Sequence, residues 1–257
     1  MNNSLNPYRF SLTTRLKQDW IMRFLDPQPG ERVLDVGCGL GYFVGLMNER
    51  AVRPYAVDFS VESLKLGSKQ TRGHYASCSA EALPFGDNSF DKILFTDVIE
   101  HLENDEGAVA EIARVARNGA RVVVTTAPME GLLTGTRLNL LCHDIPGTPE
   151  YHVRPGYKTD ELAGLLGKHH IEVRQVAYTT VLLGELFIEG MKAVYALKNR
   201  NFHSQADLAR MNDSALFQFY RFVVFPLMYA ISKIEEKLLA RFLKGHIVIV
   251  DGLMCKN

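Results

Sequence analysis

The sequence predicts a doubly wound α/β fold built on a mostly parallel sheet, and three observations carry that expectation. Strand-like and helix-like segments alternate strictly from residue 31 to residue 127. The clearest strand-like segments are apolar through their middle, as strands covered on both faces must be. Directly after the first of them, "VLDVGCGLGYF" places Gly37, Gly39 and Gly41 at alternate positions. Such sheets bind nucleotide-like ligands at a strand-to-helix turn of this kind.

Taken in order, "YRFSLTTRLKQDWIMRFL" reads as an amphipathic helix ahead of the sheet. "RVLDV" is the first strand and "LGYFVGLMNER" the helix behind it. "RPYAVDF" is the second strand, and Ser60 can cap the helix "SVESLKLGSKQ". "GHYASCS" is a weaker third strand and "DKILFTDV" a fourth. "NDEGAVAEIARVARNG" carries apolar residues at helical spacing and is expected to end at Gly119. "ARVVVTTAP" is a fifth strand, stopped by Pro128. Residues 129–156 read as loop, "TDELAGLLGKHH" as a helix, "IEVRQVAY" as a sixth strand and "GHIVIVDGLMC" as a seventh.

Between the last two strands, residues 181–243 follow a helical pattern. Leu216, Phe219, Tyr220, Val223, Leu227, Ile231, Ile234 and Leu238 form one apolar stripe, and Pro226 is expected to kink the helix. The expected division is a core of residues 1–180 and 244–257, with 181–243 as a helical insertion before the last strand.

The chain has 257 residues, 47% apolar and 23% charged, an ordinary globular balance. Lys plus Arg and Asp plus Glu stand at 29 each. Nothing global therefore favours nucleic acid, which is not expected as a partner. Cys38, Cys78, Cys142 and Cys255 form no CxxC pair, which points to free thiols in a reducing cytosol and no zinc site. The polar start "MNNSLNPYRF" lacks the apolar core of a signal peptide. The longest apolar candidate, Leu216 to Ile231, is broken by Gln218, Arg221 and Pro226. The expected location is cytoplasmic, with contact at the inner face of the membrane kept open.

The glycine spacing selects among ligands. Dinucleotide-binding turns read G-x-G-x-x-G, whereas this one reads G-x-G-x-G with Tyr42 next, so a pyrophosphate fits poorly. Asp58 ends the second strand, beside the first in a doubly wound sheet, where a carboxylate can accept two ribose hydroxyls. Further on come "SAEALPFGDNSFD" and "TDVIEHLEN". With these motifs in this order, residues 30 to 127 resemble the class I S-adenosylmethionine-dependent methyltransferases, in the branch with "LDVGCGxG", "AExLPF", "SFD" and "EHL" signatures (methyltransferase type 11).

That resemblance implies a Rossmann-like sheet of seven strands, the last antiparallel, with S-adenosylmethionine as cofactor. It implies that Gly37, Cys38, Gly39 and Gly41 border the methionine and ribose, with Asp35 near the methionine amino group. It puts Asp58 on the ribose, Phe59 on the adenine, Ser79 and Ala80 at the adenine edge, and Thr96 and Asp97 beside the methionine. Relatives often carry Asp where Ser79 stands.

Methyl transfer to a hydroxyl needs a base near neutrality, and His101, after the fourth strand, is the first candidate; its other reading is a cap for the following helix. "DVIEH" also resembles an E-x-x-E-H signature in which Asp97, Glu100 and His101 would ligate Mg²⁺, but no metal is expected. His143, His152 and Arg154 are candidates for the acceptor side, together with Tyr8 and Arg9 from the N-terminal segment. Trp20 reads as site-lining or as core. The insertion can be a lid with its own core, a homodimer interface or a surface that meets lipid. The expected reaction is O-methylation of a small-molecule, glycan or lipid-linked saccharide acceptor. The alternatives are a quinone or polyketide methyltransferase and a non-catalytic cofactor-binding regulatory or assembly protein.

Overall fold

The computed structural model describes residues 7–129, 153–187, 190, 215–239 and 242–256. A 3₁₀ turn, Pro7–Phe10, leads into α1 (Leu12–Leu25). The sheet strands are β1 (Val33–Val36), β2 (Tyr55–Asp58), β3 (His74–Ser77), β4 (Phe90–Thr96), β5 (Ala116–Thr126), β6 (Ile171–Thr179) and β7 (Ile247–Met254). Their order is β3-β2-β1-β4-β5-β7-β6. β1 to β5 pair in parallel, and β7 runs antiparallel between β5 and β6. Parallel neighbours need crossovers. α2 (Tyr42–Asn48), α3 (Val61–Gln70) and α4 (Asp105–Val115) lie on those connections, and α5 (Thr159–Lys168) precedes β6.

Alternation along the strands fills two cores, one on each face of the sheet. Ile93 and Phe95 of β4 join Leu34, Val122 and the α4 residues Val109 and Ile112. Leu94, between them in sequence, packs the other way with Val33, Val123, Ile21 of α1 and Met47 of α2. Polar side chains set where helices start. Ser11, Ser60 and Asn104 accept the backbone N–H of Thr14, Ser63 and Gly107 at 3.4, 3.2 and 3.0 Å. The N-terminal helix therefore begins at Leu12 rather than Tyr8.

A second boundary is corrected as well. Helix α4 ends at Val115, four residues before Gly119. Lys256 caps its last turn instead, donating to the carbonyls of Arg114 and Ala116 at 3.0 and 2.6 Å. Gly119, at φ +79°, lies in a bulge of β5 between the pairs Phe90–Ala116 and Lys92–Arg121. Pro226 is accommodated by a π-helical segment, Tyr220–Val224, between α6 (Ala215–Phe219) and α7 (Phe225–Leu239). The N–H of Phe225 reaches back to the carbonyl of Tyr220, and the wider turn takes up the missing Pro226 donor.

α6 and α7 lie between β6 and β7 in the chain, and α7 packs on α1. The Tyr220 hydroxyl donates to the Phe10 carbonyl at 2.7 Å, that of Tyr229 to Asp19 at 3.2 Å, and Phe10 meets Phe225 edge-on at 5.7 Å. The apolar stripe faces outward: Phe219, Val223, Leu227, Ile234 and Leu238 are all exposed. Buried on α7 are Phe225, Ser232, Glu235 and Glu236.

Candidate functional site: an acidic crevice at the carboxyl ends of β1, β2 and β4

The sheet reverses its winding at β1, with β2 on one side and β4 on the other. Ligands bind outside the carboxyl ends of strands at such a reversal. The glycine turn lies there. Gly37, Gly39 and Gly41 have φ of +76°, +50° and +74°, a region costly for any residue with a Cβ. Gly37 is also pressed against the turn after β4, where an added Cβ would come within 2.1 Å of Val98 Cγ2.

The turn's amides are largely satisfied from within. Those of Gly37 and Cys38 donate to the Val57 carbonyl at 2.8 and 3.0 Å, and that of Gly41 to the Cys38 carbonyl at 2.9 Å. The amide of Gly39 donates to the Asp58 carboxylate at 2.7 Å. A ring of free N–H groups, as a phosphate would need, is not what the turn presents. Its polar surroundings are carboxylates. Asp58 accepts from Gly39 and, at 2.8 Å, from Ser60, and its oxygens keep lone pairs for two hydroxyl donors.

Asp35 is the sharpest feature. It is 1% exposed, and neither carboxylate oxygen has a hydrogen-bond partner. Burial, reinforced by the charge of Asp58, pushes its carboxyl up to about 8. A buried carboxyl with no partner is costly unless a donor or a cation meets it. The cationic amino group and sulfonium of S-adenosylmethionine suit such a site by charge, so the residues fit the expected cofactor.

Asp97 follows β4 at φ +52°. Its carboxylate takes an ion pair from Lys17 and a 2.7 Å bond from the Thr125 hydroxyl, while its side chain stays 42% exposed. Two partners thus hold a strained residue with one side open. Lys17 comes from α1 and is fully buried, and burial draws its ammonium down to about 8 against the opposing pull of Glu100. Glu100 is buried too, and burial raises its carboxyl. The residues considered for Mg²⁺ are therefore divided: Asp97 and Glu100 face Lys17, and His101 is the partly exposed last residue of the 3₁₀ turn Ile99–His101. Among the described residues, no group of three His, Cys, Asp or Glu gathers as a metal site.

The remaining expected residues separate by environment. Phe59 is 81% exposed beside Asp58, an apolar surface without a core role. Thr96 is buried at the end of β4, and Ala80 is part of the main core. The Ser79 hydroxyl accepts the Glu81 amide at 3.2 Å, a turn contact. Cys38 turns its thiol into a small core with Val44, Ala56 and Leu64, so only its main chain borders the turn. Tyr8 packs edge-on to Tyr42 at 6.3 Å, and Trp20 lies against the α1 core beside Phe24. Arg9 pairs at 3.6 Å with Glu49 past the C-terminal end of α2, the end away from the glycine turn. Arg154 is held by Asp105 and the Leu102 carbonyl, and lines a cavity of about 410 Å³ with Met129, Tyr157 and Leu165. No residue of the glycine turn lines that cavity. His143 and His152 lie outside the described residues.

Lys17 is the residue that sequence reasoning missed. A signal existed: it falls on the helix stripe of Thr14, Ile21 and Leu25, all buried. A lysine among core positions announces a buried partner.

A family model described as a methyltransferase domain matches residues 34–124, the span from β1 through β5 that builds this crevice. Over these residues the chain matches a methyltransferase domain, in line with its resemblance to the class I S-adenosylmethionine-dependent methyltransferases. The chain is 35% identical over 97 residues to a demethylmenaquinone methyltransferase of Renibacterium salmoninarum, covering 37% of this chain and 41% of the relative. It is 33% identical over 99 residues to a malonyl-(acyl-carrier protein) O-methyltransferase of Serratia marcescens, covering 38% and 39%. The match thus spans about two fifths of the length of these curated relatives. Among solved structures, the YcgJ protein of Bacillus subtilis superposes with a TM-score of 0.59 at 16% identity, over 93% of this chain and 98% of that one. A SAM-dependent methyltransferase from Archaeoglobus fulgidus gives 0.56 at 16%, over 96% and 94%. These two structures share the fold of this chain.

Proposed function

We propose that the protein transfers a methyl group from S-adenosylmethionine to an oxygen of a partly apolar small-molecule or lipid-linked acceptor. The observation that carries this reading is the unpartnered, buried carboxyl of Asp35 beneath a glycine turn whose amides are bonded internally. Asp35 would meet the cofactor's amino group, Asp58 would accept its ribose hydroxyls, and Phe59 would offer the adenine an apolar face. When bound, the cofactor supplies a methyl group on a positively charged sulfur, already activated for displacement.

What this chain must then supply is alignment and a place for the acceptor's proton. Asp97, fixed by Lys17 and Thr125 with one side open, can orient an acceptor hydroxyl. His101, on the following turn, takes the proton. The name of the malonyl-(acyl-carrier protein) O-methyltransferase supports oxygen as the methylated atom, and that of the demethylmenaquinone methyltransferase supports an apolar acceptor.

The test is incubation with methyl-labelled cofactor and a fractionated lipid and metabolite extract. Label should enter an apolar or amphiphilic fraction, and His101→Ala should lower kcat about 10²-fold. Cofactor binding without label transfer to any fraction would contradict the enzyme reading. Activity within a few-fold of the parent in His101→Ala would remove that residue as the base.

A further inference from the structure

The helix before β7 is inside out. Between residues 215 and 246 the only acids are Glu235 and Glu236, and both are buried. Glu236 accepts from the Thr179 hydroxyl and, at 3.3 Å, from the Thr180 amide at the end of β6. Glu235 accepts the amides of Leu183 and Gly184 at 2.7 and 3.4 Å, at the start of the helical turn 182–187. These bonds fix the rotation of α7, since a buried carboxylate cannot leave its donors cheaply.

With the acids turned in, the apolar side chains are turned out. Leu227, Ile234 and Leu238 are 59%, 61% and 63% exposed. At 3.6 residues per turn they fall within about 40° of one another. Phe219, Phe222 and Phe242 extend the surface at both ends. Six large apolar side chains so exposed, from α6 through α7 to Phe242, mark a surface made to meet something apolar.

The charges left facing solvent on this element are basic. Arg221 lies over the rings of Phe10 and Phe222, Lys233 pairs with Asp19 and Glu236, Lys237 is exposed, and Lys244 lies over Tyr178. On the adjoining α1, Arg15 covers the Tyr229 ring, and the carboxylate there, Asp19, is held by Lys233 and Tyr229. In a chain with 29 acids and 29 bases, this local excess is an arrangement and not a bulk property.

We infer that this face docks on an anionic lipid bilayer, with the exposed apolar side chains in the interface and the basic ones among the head groups. Apolar stripe plus basic flank is what such a surface recognises. A symmetric pair of copies is disfavoured, because an isologous contact would set the same basic residues against each other. No helix among the described residues is long and apolar enough to cross a membrane, so the element lies on the bilayer.

The intact protein should co-sediment with vesicles of equimolar phosphatidylglycerol and phosphatidylcholine, bind pure phosphatidylcholine weakly, and release with salt. The double variant Leu227→Asp, Leu238→Asp should bind the mixed vesicles at least ~10-fold more weakly, with unchanged circular dichroism and cofactor affinity. Lys237→Glu should weaken binding while flattening its salt dependence. No binding to mixed vesicles, or equal binding by the double variant, overturns the inference. A concentration-dependent dimer that the double variant abolishes would assign the face to a second copy and overturn it equally.

Discussion

Asp35 at the end of β1 and Glu235 on α7 are both buried carboxyls, and the protein treats them in opposite ways. Glu235 has two backbone amides as partners, and its burial fixes how one helix is turned. Asp35 has none. A satisfied buried acid is architecture, whereas an unsatisfied one stores an interaction that another molecule can complete. The same contrast extends to surfaces. Around β1 the apolar residues are inside and Asp35, Asp58 and Asp97 gather at the carboxyl ends of the strands; on α7 the acids are inside and the apolar residues face out. Each region departs from the ordinary pattern where a ligand or a lipid is proposed to meet it.

That contrast can be broken by substitution. The largest effect is expected at the glycine turn. Gly37→Val forces a branched residue into φ +76° and into Val98, and should lower unfolding free energy in denaturant by roughly 2–5 kcal/mol. Retained stability would mean the turn is looser than described. Next comes Glu235→Ala, which strands two amides and should cost about 1–3 kcal/mol in denaturation while leaving cofactor affinity unchanged. A change in cofactor affinity instead would erase the distinction between structural and binding acids. Smallest is Arg9→Ala. Its pair with Glu49 is half exposed and is worth about 0–1 kcal/mol; a large loss of activity in steady-state kinetics would return Arg9 to the site.

Much of this was legible in the sequence, for identifiable reasons. Strands such as "ILFT" and helices such as "AVAEIARV" announce themselves by period, and the glycine turn by its spacing. The boundary at Val115 was not legible, because its cap is Lys256, distant in the chain. The role of Cys38 was hidden because its backbone and side chain belong to different places. The outward turn of the α7 stripe could not be read locally either. Helical periodicity finds the apolar stripe, but Thr179, Thr180, Leu183 and Gly184 decide which side of the helix is buried.

The central claim is that Asp35 awaits a cation. Its folded carboxyl stands at about 8, against roughly 3.9 in an unfolded chain. The folded protein therefore holds a proton that the unfolded chain releases, and ligand-free stability is lost as pH rises from about 4 towards about 8. Bound S-adenosylmethionine favours the ionised form, so its affinity should climb by up to ~10-fold per pH unit below that point. Calorimetry of S-adenosylmethionine across this range, with the parent and Asp35→Asn, measures the claim most directly. The account predicts a rising affinity with proton release in the parent, and weaker, pH-independent binding in Asp35→Asn together with a higher melting temperature at alkaline pH without ligand. Equal affinities and equal proton release in the two proteins would contradict it.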